Sequence, residues 1–312
     1  MGWHSYHVFY HDQEKWDRLI VEMFHELNRK WEKRPFPPFF FIRYWEGGPH
    51  LRWRFRDLDK EQQRDVLETV ESFFVAHPST VMVSKDEYYK QYQVLTDKSR
   101  ELDWHPNQTI AQMEYQPEVE RYNGEKMMAL SEVQFEFSSR YVIKLLSTNS
   151  VSLQQKYNIG MQSIAYMVKS LGLNCQQEID FLRSYCLSTL QTYQPQSVEA
   201  ALYQFEEILV KNSAVMQEVV RYYWSEQADN SFYRQYQAFA GEVAEAVERG
   251  EFVPNGVKIP SIVEWDDKAT ALGQLYWSWI HMHCNRWGIS PIMEAQITFL
   301  LSRSLKEWGN QG

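Results

Sequence analysis

The spacing of apolar residues at the start of the chain predicts short strands that alternate with helices. Ser5 to Tyr10 is a short aromatic and β-branched run, which is typical of a strand. After Asp12, a good helix N-cap, apolar side chains recur at helical spacing and predict a helix that the prolines from Pro35 onward end. The apolar positions of this helix are Trp16, Leu19, Ile20, Met23, Phe24, Leu27 and Trp31.

The next segment predicts a hairpin, a second helix and a further strand. Two alternating runs flank Gly47 and Gly48, which are typical turn residues. The resulting order, β-α-β-β-α-β, is that of a ferredoxin-like fold. The predicted elements are strands over Phe39–Trp45, His50–Arg56 and Thr80–Val83, and a helix capped by Asp57 or Asp59 that ends near His77.

The pattern then changes to an almost entirely helical one. Residues from about Leu95 to Pro117 are irregular and polar. We therefore predict an α+β fold: one domain over residues 1–312, with an α/β sub-region at 1–115 and a helical sub-region at 116–312. The predicted helices are Glu125–Leu146, Leu153–Leu171, Gln177–Gln191, Val198–Ser225, Ser231–Arg249, Glu264–Trp287 and Pro291–Trp308.

Composition and charge narrow the class of protein. The net charge of −9 is a poor match for direct nucleic-acid binding, which depends on phosphate contacts. Three cysteines without a CxxC pair favour a reducing compartment over a disulfide framework. There is neither a signal-like start nor an apolar run long enough to cross a bilayer. We expect a cytoplasmic protein without membrane insertion.

The hairpin carries the most informative charge pattern. A two-residue turn at Gly47 and Gly48 places Arg43 opposite Arg52, an unfavourable pairing of like charges. Either acidic partners and solvent compensate it, or the hairpin binds a carboxylate or phosphate anion. In this register one face is apolar and the other is cationic. The cationic face consists of Phe41, Arg43, Trp45, His50, Arg52 and Arg54.

Two further segments contain candidate polar residues. Arg121 and Tyr122 precede the turn signal Asn123-Gly124, and Arg121 is equally open to a structural ion pair with neighbouring glutamates. His281 and Asn285 share a helix face, where His281 is either a hydrogen-bonded core residue or a general base. A zinc site is not favoured, because the side chains of His281 and His283 point to different sides of a helix.

Three motifs together resemble one family. FFFIRYWEGGPHLRWRF is similar to its "IRY…PHLRLRF" signature, YQPEVERYNG to "YEPEIERYGG", and HMHCNRWG to "HMxxNRLxG". The family is the C-terminal, SpaB-type domain of lantibiotic dehydratases, also called the thiopeptide-type bacteriocin biosynthesis domain. The motifs occur in the family's order and the resemblance covers essentially the whole chain. Asn123 replaces a glycine, and Trp53 and Trp287 replace common leucines, which affects pocket shape more than chemistry.

The resemblance implies a free-standing subunit that eliminates glutamate from glutamylated Ser or Thr of a ribosomal precursor peptide, giving dehydroalanine or dehydrobutyrine. It implies catalytic roles for Arg52 or Arg54, Arg121 and His281. Substrate-binding candidates are Arg43, His50, Tyr122 and Asn285. No metal, flavin or nucleotide cofactor is implied. The implied partners are the precursor's leader and core and a separate glutamylation subunit, and a homodimer stays open.

Two other functions compete with elimination. One is the pyridine synthase of thiopeptide pathways, which performs a formal aza-[4+2] cycloaddition on two dehydroalanines. The other is a non-catalytic module that binds a leader peptide. The presence of Arg52, Arg121 and His281 favours elimination, because the resemblance implies that pyridine synthases do not generally keep these residues.

Overall fold

The protein is described by a computed structural model that covers residues 2–93, 95, 102–148, 151–225, 230–255 and 265–309. The chain forms two compact units: the first contains Met1–Pro117 and Phe135–Val151, and the second contains Glu118–Gln134 and Ser152–Gly312. Helix α4 (Glu125–Leu146) contributes to both. The α+β class is confirmed, and the division of one domain near residue 115 stays a prediction.

The first unit is built on a four-stranded antiparallel sheet with the strand order β2-β3-β1-β4. This order is the one a ferredoxin-like β-α-β-β-α-β chain forms, so the predicted topology is correct. Its elements are β1 (Trp3–Phe9), α1 (Trp16–Lys30), β2 (Phe39–Tyr44), β3 (His50–Arg56), α2 (Lys60–Ala76), α3 (Lys85–Lys90) and β4 (Thr109–Met113).

The identity of the fourth strand was predicted wrongly. Thr80–Val83 forms no strand, and the Met82 side chain is 97% exposed. The strand comes instead from Thr109–Met113, within the segment that the sequence indicated to be irregular, and it pairs with β1. Local β-propensity favoured the first segment, but pairing with a neighbouring strand decides whether a strand forms.

One face of the sheet forms the core with the first two helices. Phe39 lies against Phe24 of α1, with ring centroids 5.5 Å apart, and Phe55 lies 5.9 Å from Trp31. Of the two predicted caps, Asp59 is the one that caps helix α2: its side chain accepts a hydrogen bond from the Gln62 amide in a capping box. The opposite face contacts the second half of α4, where Phe135 lies 5.3 Å from Phe40.

The second unit is helical, and all seven predicted helices form with ends within about three residues of expectation. Glu264, the predicted start of one of them, lies outside the described residues. None of the helices in the described ranges has the length and apolar character needed to cross a membrane. The helices after α4 are α5 (Leu153–Ser170), α6 (Cys175–Tyr193), α7 (Val198–Tyr223), α8 (Ser231–Glu248), α9 (Asp267–Trp287) and α10 (Pro291–Gly309).

Helix α10 packs against α6 and α7, and α9 packs against α5 and α8. The buried interior between α6, α7 and α10 includes Cys186, Leu190, Phe205 and Ala295. This packing brings the middle of α6, the C-terminal half of α9 and the start of α10 together, and these are the parts of the unit that contain His281 and its neighbours.

Candidate functional site

The strand register of the hairpin differs by one residue from the prediction. Tyr44 pairs with His50, so the connection runs from Trp45 to Pro49 and is longer than a two-residue turn. The backbone of Gly47 accounts for the longer loop, because its amide donates a hydrogen bond to the Tyr89 hydroxyl oxygen at 2.9 Å and its carbonyl accepts one from the His105 amide at 2.9 Å. A one-residue change moves every β2 side chain to the other face relative to β3.

Arg43 consequently leaves the cationic face. It pairs with Leu51, not with Arg52, and its guanidinium reaches Asp17 of α1 at 2.5 Å, on the helix-covered side of the sheet. Its side chain is 10% exposed, and burial lowers the pKa of Arg43 while Asp17 opposes that effect. The prediction that Arg43 shares a face with Arg52 and Arg54 is therefore wrong, and an acidic partner inside the protein stabilises its charge.

His50 and Arg52 form an ordered pair on the other face. His50 Nδ1 lies 2.8 Å from the Gly48 carbonyl oxygen, and Arg52 Nε donates to His50 Nε2 at 3.1 Å. A carbonyl only accepts and a guanidinium only donates, so His50 is the neutral tautomer with its hydrogen on Nδ1. Burial lowers its pKa to about 3. The Arg52 guanidinium lies 3.4 Å above the Tyr44 ring centroid.

The same face extends across β3 into β1. His7 pairs with Arg52, stacks on His50 with centroids 5.0 Å apart, and has its pKa lowered to about 2 by burial and then by Arg52. Arg54 lies over the Tyr115 ring at 4.5 Å. We call His7, His50, Arg52 and Arg54 the cationic patch. Its positive charge comes from the two arginines, because both histidines are neutral.

In the second unit, the turn that contains Arg121 is fixed by several hydrogen bonds. Asn123 adopts a left-handed backbone (φ 61°), as its turn signal predicted, and its side-chain amide donates to Gln274 of α9 at 2.9 Å. The side-chain amide of Asn255 donates to the Arg121 carbonyl at 3.0 Å. Arg121 pairs with the exposed Glu118 at 3.1 Å and lies over the buried Tyr122 ring. The structural ion pair that the sequence left open therefore exists.

His281 has a buried acidic partner. Its Nδ1 lies 3.1 Å from Glu294 Oε2, and the same oxygen accepts a hydrogen bond from the Tyr185 hydroxyl at 2.7 Å. The His281 side chain is 27% exposed, whereas that of Glu294 is 1% exposed. Burial lowers the pKa of His281, but the charge and hydrogen bond of Glu294 outweigh it and raise the pKa above its ordinary value.

Arg121 and His281 lie close enough to influence each other electrostatically. The Arg121 charge opposes protonation of His281. Tyr193 lies beside both: its ring centroid is 6.5 Å from that of His281, and its pKa is raised by burial and by Glu294 but lowered by Arg121. A partly exposed imidazole with a buried carboxyl partner thus lies within the electrostatic influence of an exposed guanidinium, which suits proton transfer next to an anionic group.

The other sequence-predicted residues of α9 occupy different environments. Asn285 is half-buried one turn after His281. His283 is fully buried, accepts a hydrogen bond from Trp287 Nε1 at 3.2 Å, and has its pKa lowered to about 3 by burial and Arg286. Within the part of the chain that the structure describes, no three His, Cys, Asp or Glu side chains are grouped to hold a metal ion.

Sequence reasoning missed Glu294, Tyr185 and Tyr193 because their importance depends on helix packing. A signal for Glu294 does exist: it precedes Ile297 and Leu301 at i+3 and i+7 on the apolar face of α10. A carboxyl group in such a stripe needs a polar partner. His7 was also missed, although strand alternation places it with Ser5 and Phe9 on one face.

Comparisons with solved structures show the fold. The chain superposes on "Pyridine synthase, TbtD, from thiomuracin biosynthesis" with a TM-score of 0.77, 16% identity and full coverage of both chains. It matches TsrL with a TM-score of 0.64 and 13% identity, covering 99% of this chain and 95% of TsrL. It also matches the tRNA-dependent lantibiotic dehydratase MibB from Microbispora sp. 107891, with a TM-score of 0.57, 20% identity and coverage of 100% of this chain and 28% of MibB.

A search of curated proteins finds no match. The profile described as "Lantibiotic biosynthesis dehydratase C-term", however, matches residues 3–305, almost the whole chain. This span includes the hairpin, the Arg121 turn and the α9 and α10 residues described above. The protein belongs to the lantibiotic biosynthesis dehydratase C-terminal family.

Proposed function

We propose that this protein eliminates glutamate from glutamylated Ser or Thr residues of a ribosomally made precursor peptide. The main support is the contact between His281 Nδ1 and Glu294, together with the electrostatic effect of Arg121 on the same imidazole. Membership of the dehydratase C-terminal family supports the reaction class.

The reaction requires one proton transfer and one leaving anion. A base removes the α-proton of the modified residue and leaves an enolate. Its electron pair forms the Cα=Cβ bond as the Cβ–O bond breaks, and glutamate departs as a carboxylate with the Cβ–O electron pair. His281 is suited to accept the proton through Nε2, and the Arg121 guanidinium is suited to stabilise the negative charge on the enolate or the departing carboxylate.

For the first unit by itself, we propose that the cationic patch binds an acidic group of the peptide substrate. Support comes from the Arg52 and Arg54 guanidinium groups, which lie against the Tyr44 and Tyr115 rings on the sheet face opposite α1 and α2. Rings that hold a guanidinium in place reduce the entropy lost when it binds a carboxylate. Arg52→Ala is expected to raise the KM for a glutamylated peptide more than it lowers kcat.

The assay is incubation of the purified chain with a glutamylated precursor peptide, followed by mass spectrometry. Loss of glutamate is the expected result, with His281→Ala slower by about 10²–10⁴-fold. The exposed histidine His25 provides a matched control, and His25→Ala is expected to keep wild-type activity. A folded wild-type chain that leaves every glutamyl group in place contradicts the proposal.

A second candidate is the cycloaddition performed by pyridine synthases, which is supported by the full-length fold match to TbtD. The two activities use different substrates, since cycloaddition acts on a peptide that already contains dehydroalanines. Ring formation from a dehydrated peptide, without glutamate loss from a glutamylated one, favours the second candidate. Peptide binding without either reaction favours a non-catalytic leader-binding module.

A further inference from the structure

A carboxyl group lies buried directly behind His281. Glu294 is 1% exposed, and its Oε2 meets both the Tyr185 hydroxyl and His281 Nδ1. Its other oxygen, Oε1, is buried and has no hydrogen-bond partner among the described residues. Burying a carboxylate is strongly unfavourable unless charges and hydrogen bonds compensate, and here both compensating contacts involve one oxygen.

Packing alone gives no reason for an acidic residue at this position. Glu294 begins the buried face of α10, where Ile297 and Leu301 are fully buried and the buried Thr298 hydroxyl bonds to carbonyls of its own helix. An apolar side chain would continue this stripe without the desolvation cost of a carboxyl group. An apolar residue at this position could not accept a hydrogen bond from the partly exposed His281.

We propose that Glu294, oriented by Tyr185, is the positioning residue for His281 in the proposed elimination. It holds the imidazole hydrogen on Nδ1 and so leaves Nε2 as the atom that exchanges a proton with the substrate. The inference rests on the proposed function and adds to it a hydrogen-bonded chain of His281, Glu294 and Tyr185. Tyr185 donates its hydroxyl hydrogen to the carboxyl group and limits its rotation.

The groups around His281 act in opposite directions. Glu294 of α10 favours the charged imidazole, while burial and Arg121 disfavour it. Tyr185 and Tyr193 of α6 face the same carboxyl group, and burial followed by Glu294 raises the pKa of each. Cys284, on the same helix as His281, has its pKa raised by burial and by Glu294. Glu294 is thus the group that makes His281 a stronger base.

The first test measures the His281 ring directly, independent of any peptide. NMR titration of the imidazole in wild type and in Glu294→Gln is expected to show a pKa lower by about one pH unit or more in the variant, since a facing carboxylate is lost. Tyr185→Phe keeps that carboxylate, and the His281 pKa is expected to stay above 6.5. Glu307→Gln, at an exposed position of the same helix, is the matched control.

The second test measures kcat for glutamate elimination against pH. Glu294→Gln is expected to lower kcat about tenfold or more with little change in KM, and Glu294→Asp is expected to recover part of the loss. Circular dichroism and thermal unfolding verify that each variant is folded. Glutamate loss by wild type together with an unchanged His281 titration in Glu294→Gln overturns this inference alone. Failure of the wild type to release glutamate overturns the proposed function instead.

Discussion

The side-chain amide of Asn123 donates a 2.9 Å hydrogen bond to Gln274, a residue of α9 two turns before His281. Asn123 belongs to the turn that contains Arg121, and Gln274 lies on the helix that contains His281. The bond therefore connects the turn of Arg121, which is proposed to stabilise negative charge, with the helix of His281, which is proposed to accept the proton. Val253 adds a second contact, because its amide donates to the Asn123 carbonyl at 3.0 Å.

Replacing Asn123 separates the effect of backbone conformation from that of the hydrogen bond. Asn123→Gly keeps the positive φ but leaves the Gln274 side chain without this donor, and we expect a loss of about 1–3 kcal/mol in the free energy of unfolding. Asn123→Ala adds left-handed strain and is expected to lose about 1 kcal/mol more. Urea unfolding measures both, and equal stability of the two variants would contradict the role of φ.

The Arg121 guanidinium is expected to stabilise the reacting anion through its paired N–H donors and not through charge alone. Arg121→Ala should lower kcat for elimination by roughly 10²-fold or more, and Arg121→Lys should recover only part of it. Single-turnover kinetics on a glutamylated peptide measure the change. Glu118→Gln is the control. The exposed ion pair between Glu118 and Arg121 contributes less than about 1 kcal/mol to the free energy of unfolding, so the stability of this variant is expected to stay close to that of wild type. Full activity of Arg121→Ala is the contradicting outcome.

Arg43 is predicted to stabilise the fold of the first unit. Arg43→Met keeps the length of the side chain but leaves the Asp17 carboxylate without this partner, and we expect a loss of up to about 3 kcal/mol in unfolding free energy. The double variant Arg43→Met/Asp17→Asn should regain part of that loss, which a double-mutant cycle quantifies. A stable Arg43→Met variant with a raised KM for glutamylated peptide would assign Arg43 to substrate binding after all.

The first unit is predicted to lose stability in mild acid because of its neutral histidines. The folded pKa of His7, about 2, lies below the ordinary value of 6.5. The unfolded chain therefore binds a proton below pH 6.5 that the folded chain does not, and stability falls by about 1.4 kcal/mol per pH unit for this residue. When the pH changes from 7.5 to 5.5, the free energy of unfolding of His7→Phe should fall by about 1 kcal/mol less than that of wild type.

Urea unfolding of wild type and His7→Phe at the two pH values measures this difference. The same substitution at the exposed His25 provides the control for the change of residue type. An identical loss of stability in wild type and His7→Phe would show that another group dominates the acid response of this unit.

The sequence alone determined the class of fold, the helices of the second unit and three motifs of the family, because these depend on local spacing, caps and short patterns. Helices such as Glu125–Leu146 are set by apolar periodicity within the segment, and Asn123-Gly124 by the tolerance of these residues for positive φ. The motif containing His281 was visible for the same reason, since its residues are adjacent in the chain.

Only the tertiary structure decided the hairpin register, the fourth strand and the partners of His281. The register depends on Tyr89 and His105, which bind the Gly47 backbone from distant positions, so the turn residues by themselves predicted the wrong face for Arg43. Strand Thr109–Met113 forms through its pairing with β1. Glu294 reaches His281, and Tyr185 reaches Glu294, because three helices pack together, and no local pattern encodes which side chains meet at such a crossing.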